Sequence, residues 1–185
     1  MANIKPAFEI LQKLEYNNPS NFLHKNKGED GLTVGGIYQV AHPHWYGWSI
    51  VKASLARNND NMALASIELH ANGAFISLVE LFYKENYFNR LKLNFLHSQN
   101  TANEIFLFAV NSGSKNAVRK AQKLVGATED GILGSQTIEA LNNYDEELFD
   151  MQFDELELKF YDDLIKKKPS FAMFRNGWKK RAKFC

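Results

Sequence analysis

A mainly α fold with one small β hairpin is what this sequence predicts, on three observations. Apolar residues recur at helical spacing along most of the 185 residues. Residues 17–44 break that rhythm with glycines and polar turn formers. Inside that stretch, Leu32-Thr33-Val34 and Gly36-Ile37-Tyr38-Gln39-Val40 have β-branched and aromatic character, which predicts a small hairpin or irregular β element. The composition, 45% hydrophobic and 23% charged, excludes wholesale disorder. The length allows one domain, or one domain with a small appendage.

The first helix is expected from Pro6, whose missing N–H is harmless in a first turn. Ala7, Ile10, Leu11 and Leu14 share one face. Pro19 disfavours helical geometry before it, so this helix should end near 15–18. After the β element, helices are expected near 45–57, 61–72, 74–86, 102–112, 115–125, 134–143, 145–166 and 170–182. Asn111-Ser112-Gly113 and Gly126 read as helix ends. Ser135 reads as an N-cap. From Asp150 to Lys167, acids on one face oppose Phe153, Leu156, Phe160 and Leu164 on the other. The most polar break is 97–103. No internal repeat or low-complexity tract occurs.

Net charge is +1, but unevenly spread. From Lys166 to Cys185 there are eight basic residues and no acidic ones. The other 165 residues hold 14 basic and 21 acidic side chains, or −7. The basic end suggests an anionic partner, with a solvated helix face as the plain alternative. The lone cysteine, Cys185, excludes an internal disulfide framework and is a poor candidate nucleophile. The opening residues lack an apolar segment, so no secretory leader is expected. The longest apolar run, Ile105 to Val110, is far shorter than the roughly 20 residues that span a bilayer. No stable membrane insertion is therefore expected.

Three segments could carry chemistry. Glu15 closes the first helix at the start of the glycine-rich stretch. A half-sheltered carboxyl is expected there. Shelter favours the protonated form that glycosidic cleavage needs as general acid. The alternative is a solvated helix-end Glu. The second segment runs from Lys27 to Ile37 and groups Glu29, Asp30 and Thr33 between glycines. A carboxylate and a hydroxyl can hold a water beside a sugar ring. A hairpin with polar turn residues is the alternative. No Gly-Lys-Ser/Thr follows, so it is not a P-loop. The third is Ala41-His42-Pro43-His44-Trp45-Tyr46-Gly47-Trp48. Its two His have no third ligand in view, so no metal is expected. Its aromatic rings are expected mainly to pack a core. No Gly-x-Ser-x-Gly is present, so Ser/His/Asp catalysis has no support.

In this order the elements resemble the phage-type N-acetylmuramidases of glycoside hydrolase family 108. In that family a catalytic Glu opens a Glu-Gly-Gly motif after a helix; Glu15 stands there, followed by Tyr16-Asn17. Gly31-Leu-Thr33-Val-Gly-Gly36-Ile37 is similar to the family's glycine-rich stretch, whose Asp-Pro-Gly-Gly opening is Gly28-Glu29-Asp30-Gly31 here. Tyr83-Lys-Glu-Asn-Tyr87-Phe88 and Val110-Asn111-Ser-Gly113 resemble later family motifs. Ala121-Gln122-Lys-Leu124, with Asp130-Gly131-Ile-Leu-Gly134-Ser-Gln-Thr137, resembles the core of peptidoglycan-binding helical modules. Phe174-x-x-Gly177-Trp178-x-x-Arg181 resembles the family's closing motif.

The resemblance implies a lysozyme-like helical fold with the hairpin near the active site. It implies a catalytic region over 1–100 and a peptidoglycan-binding-like region over 101–185, packed as one compact unit. It further implies cleavage of the β-1,4 bond between N-acetylmuramic acid and N-acetylglucosamine, without a cofactor. Glu15 would be the acid, with Asp30 and Thr33 assisting. Asp30 is favoured over Glu29 because it lies beside Gly31 and three residues before Thr33. Tyr38, Gln39, Tyr83 and Asn111 would line the glycan groove. Peptidoglycan glycan strands would be the partner and nucleic acid would not. A holin or export system would give access to the periplasm or wall. A lytic transglycosylase and a non-catalytic wall-binding module are the alternatives. The closing motif also makes the basic end a folded helix, part of whose charge answers the acids at 154–163.

Overall fold

The computed structural model describes residues 1–16 and 18–184. Asn17, in the Glu15-Tyr16-Asn17 motif, and Cys185 lie outside the described residues. Helices dominate: α1 (Ile4–Glu15), α2 (Gly47–Arg57), α3 (Met62–Ala71), α4 (Gly73–Tyr83), α5 (Gln99–Ser112), α6 (Ser114–Leu124), α7 (Ser135–Asn142), α8 (Glu146–Lys167) and α9 (Arg175–Arg181). One antiparallel sheet joins β1 (Leu23–His24), β2 (Thr33–Val34) and β3 (Ile37–Tyr38). This is the expected class, mainly α with a small β element.

The packing forms two compact units, Leu11–Tyr83 and Met1–Ile10 with the chain from Lys84 onward. The division by packing therefore differs from the division by motif. Residue 100, the expected boundary, falls inside α5.

In the Leu11–Tyr83 unit, β2 and β3 join through Gly35 and Gly36, both at positive φ (54° and 73°). Two such residues make the turn whose twist suits a two-residue hairpin. Thr33 pairs with Tyr38 and Val34 with Ile37. β1 adds a third strand, Leu23 opposite Val34 and His24 opposite Thr33. The Ser66 hydroxyl stitches α3 to this segment, accepting from Leu23 N (2.9 Å) and donating to Pro19 O (2.6 Å). Phe22 fills the centre, edge-on to Tyr16, His70 and Phe75 at 5.2–6.2 Å. Trp45 packs against Trp48, Phe75 and Phe82, as expected of core aromatics. Tyr46 is exposed.

The other unit is built around α5. Thr101 to Ala109 are all buried, so the longest apolar run is a central helix. Phe108 meets Phe153, Phe160 and Tyr161 of α8 at 5.3–6.0 Å. The polar break expected at 97–103 is instead the first turn of α5. The Ser98 hydroxyl caps it, accepting from Thr101 N (3.0 Å), and Gln99 donates to Asn103 (2.8 Å). Polar side chains that bond one another can be buried. The N-cap expected at Ser135 is Gly134; Ser135 is already the first helical residue.

Glu104 and Glu157 are buried with the apolar core, and Asp154 is half-buried beside them. Burial, with Glu104 and Asp154 nearby, pushes the Glu157 carboxyl up to about 9. Burial, then Asp150, pushes Asp154 up to about 6. At neutral pH Glu157 is held protonated, which avoids stranding a charge in the interior. The basic end is folded, as expected. Trp178 of α9 stacks on Tyr161 (4.8 Å, 16°), Arg175 pairs with Asp162 (2.7 Å) and Lys166 with Asp163 (3.1 Å).

Candidate active site

Glu15 is the last residue of α1. It is exposed, a correction to the half-sheltered carboxyl expected there. The apolar face of the helix ends at Leu11, and the next buried side chain is Tyr16. Tyr16 turns inward, and its hydroxyl donates a short hydrogen bond to the Gly35 carbonyl. The Tyr83 hydroxyl donates to the same oxygen at 2.8 Å. Two phenols from α1's end and from α4 thus converge on the hairpin tip. Gly36 must be glycine for a second reason besides its φ. A Cβ there would come within 2.5 Å of the Tyr83 hydroxyl.

Tyr83 was expected to line a glycan groove. It is 2% exposed and its hydroxyl holds Gly35, so its part is to position the hairpin. Tyr16 was missed as an anchor. The available signal was an aromatic residue directly after an apolar helical face.

The hairpin brings several expected residues together. Thr33, 7% exposed, lies across the ladder from the half-buried Tyr38. The Gln39 side-chain carbonyl accepts from Leu32 N (3.1 Å), while the Gln39 backbone N–H donates to Leu32 O (2.9 Å). Gln39 therefore clips the strand to the loop that carries Asp30. Gly31 makes that closeness possible, since a Cβ would meet Val40 at 2.9 Å and Gln39 at 3.2 Å. Asp30 is exposed, and its carboxylate makes no hydrogen bond or ion pair among the described residues. Glu29 is half-buried and accepts from Asn26 (3.1 Å). Of the two acids, Asp30 is the one left open to solvent.

Asn111 belongs to the other unit. It donates to the Tyr161 hydroxyl at 2.6 Å, which ties the end of α5 to α8. Asn111 is itself exposed, and its amide is engaged by Tyr161. His42 lies edge-on to Phe82 (4.8 Å) and its carbonyl accepts from the Trp48 indole (2.8 Å). Among the described residues no cluster of three or more His, Cys, Asp or Glu could hold a metal.

The module-like motif resolves into one buried network. Gln122 is 1% exposed. Its amide donates to Asp130 (2.7 Å), Ile132 O (3.0 Å) and Thr137 (3.3 Å) and accepts from Gly131 N (2.9 Å). One amide thus joins Asp130, Gly131, Ile132 and Thr137 and closes the loop between α6 and α7.

Residues 116–183, just over a third of the chain, match the family described as Predicted Peptidoglycan domain. Among solved structures the chain is similar to SagA from Brucella abortus. The two are 20% identical with a TM-score of 0.64, over 97% of this chain and 88% of that one. That likeness is one of fold. Among curated proteins no sequence matches. No single helix among the described residues is long and apolar enough to cross a membrane.

Proposed function

We propose that the chain is an N-acetylmuramidase that cleaves the β-1,4 bond between N-acetylmuramic acid and N-acetylglucosamine. The observation that carries the reading is the Tyr16 bond to Gly35, which ties the residue after Glu15 to the hairpin bearing Thr33. That bond supports the reading because it holds the end of α1, where Glu15 sits, to the hairpin that carries Thr33 and follows the loop of Asp30. The match of 116–183 to a peptidoglycan domain supports the substrate class.

In this reading Glu15 donates a proton to the leaving glycosidic oxygen. Asp30 and Thr33 hold a water that adds to the anomeric carbon, or stabilise the oxocarbenium-like transition state. Tyr38 and Gln39 border the glycan. No cofactor enters. Residues 1–100 form the catalytic region and 101–185 the wall-binding region. The site of action is the periplasm or wall, reached through a holin or export system, in lysis or wall remodelling.

A zymogram on purified sacculi tests the assignment. Wild type is expected to clear the gel and Glu15→Gln to leave it intact. Because Glu15 is exposed, the variant is expected to melt like wild type. Undiminished clearing by the variant would remove Glu15 from the mechanism. Binding to sacculi with no clearing by either protein would favour the non-catalytic module.

A further inference from the structure

A concave feature lies between α6 and α8. It is a groove of about 290 Å³. Arg119, Lys120 and Lys123 face it from α6, and Lys159 and Lys167 from α8, over a floor that includes Phe160. None of these five cations forms an ion pair among the described residues. Two acids, Glu129 and Asp163, also reach the groove, and Asp163 is already held by Lys166. The groove therefore sets five cations against two carboxylates, with no ion pair to any of the five among the described residues. It lies within the acidic first 165 residues except for Lys167, so net charge by segment hides it.

Lys120 differs from a solvated surface lysine. It is half-buried, and its ammonium lies 5.2 Å from the Phe160 ring and 6.0 Å from Phe108. Burial first, then neighbouring Lys123, lowers its affinity for its proton. Aromatic faces offset only part of that cost. An anion in the groove would supply the rest.

We propose that this groove binds a short acidic peptide through its carboxylates, and that in peptidoglycan this is the stem peptide attached to the glycan. The volume lies just below the usual range of ligand pockets, about 300–1,000 Å³, which suits a short peptide segment and not a folded partner. Leu156, Phe160 and Leu164 give it an apolar floor. A peptide that alternates carboxylates with alanine methyls matches both the cations and that floor. A phosphodiester polymer of an alditol matches the cations alone. Every lining residue lies within the matched segment 116–183. The link to wall material rests on the function proposed above; the acidic-peptide specificity rests on the groove.

The experiment titrates the full chain with the soluble tetrapeptide L-Ala–D-Glu–diaminopimelate–D-Ala at low and high salt. Wild type is expected to bind, more weakly as salt rises. Arg119→Gln with Lys123→Gln, both exposed positions, is expected to weaken binding at least ~tenfold with unchanged melting. Lys120→Met, which keeps the packing stem, is expected to do the same. The tetrapeptide with its carboxylates amidated is expected not to bind. No binding by wild type, equal binding by the double variant, or equal binding of the amidated peptide overturns the proposal. So does a polyglycerol phosphate that binds in the peptide's place. The zymogram reads the other claim separately. Peptide binding without sacculus cleavage sinks the muramidase and leaves the groove, and cleavage without peptide binding does the reverse.

Discussion

Removing the Tyr83 hydroxyl by Tyr83→Phe leaves the buried Gly35 carbonyl with one phenol donor instead of two. The ring packing survives, because Phe keeps the edge contact with Phe82 at 5.4 Å. The expected cost is that of one neutral hydrogen bond, about 1 kcal/mol. Tyr16→Phe is expected to cost a similar amount, since its ring stays against Phe22. The double variant is different in kind. With both phenols gone, the carbonyl keeps its desolvation penalty without a side-chain donor, about 1–3 kcal/mol on top of the two single losses. The total is then roughly 3–5 kcal/mol, against a sum of about 2 for the singles. Urea unfolding of the four proteins in the cycle reads the coupling directly. Additivity within about 0.5 kcal/mol would refute the shared acceptor, and with it the anchoring of Glu15's segment to the hairpin.

Gly36→Ala is expected to destabilise by about 2–4 kcal/mol, from a positive φ and displacement of the Tyr83 hydroxyl, as read by urea unfolding. A change within experimental error would contradict the turn. Gln122→Ala is expected to cost about 2–4 kcal/mol and to speed amide exchange in the loop from Gly126 to Gly134, because four bonds are lost at once. Unaltered exchange there would argue against the network. Stability should also fall with rising pH. Glu157 has its folded pKa raised from 4.5 to about 9, so the folded state keeps a proton that the unfolded chain releases. That contribution is complete below pH about 4.5 and is lost as pH rises toward about 9. Glu157→Gln is expected to flatten this decline, leaving the smaller slope from Asp154 below about pH 6. A melting curve whose pH dependence survives the substitution would reject that origin.

Helices were readable wherever one apolar face repeats over three turns. α2, α3, α6, α7 and α8 begin and end within two residues of the positions expected. The helix ends at Gly113 and Gly126 were readable too, because both glycines take positive φ. The strand Leu23–His24 was not. Two residues carry no alternation, and the strand exists through its pairing with Val34 and Thr33. The first turn of α5 looked like a break because polarity in sequence does not reveal which polar groups bond one another. The hairpin was legible from its glycines, but the roles of Tyr16 and Tyr83 were not. Both depend on where two hydroxyls meet in space. Asn111 shows the same limit, since its partner Tyr161 is 50 residues away. The cationic groove escaped notice because its charges come from two helices set in an acidic background.

The proposed cleavage is read most directly from the product it would leave. Purified sacculi digested by wild type and by Glu15→Gln, with the released fragments read by mass spectrometry, test it most directly. The expected result is hydrolysed, reducing-end N-acetylmuramic acid from wild type and none from the variant. Reducing ends released equally by Glu15→Gln would contradict the acid assigned here. Anhydro-muramic ends from wild type would contradict the hydrolysis itself and assign the chain to transglycosylation.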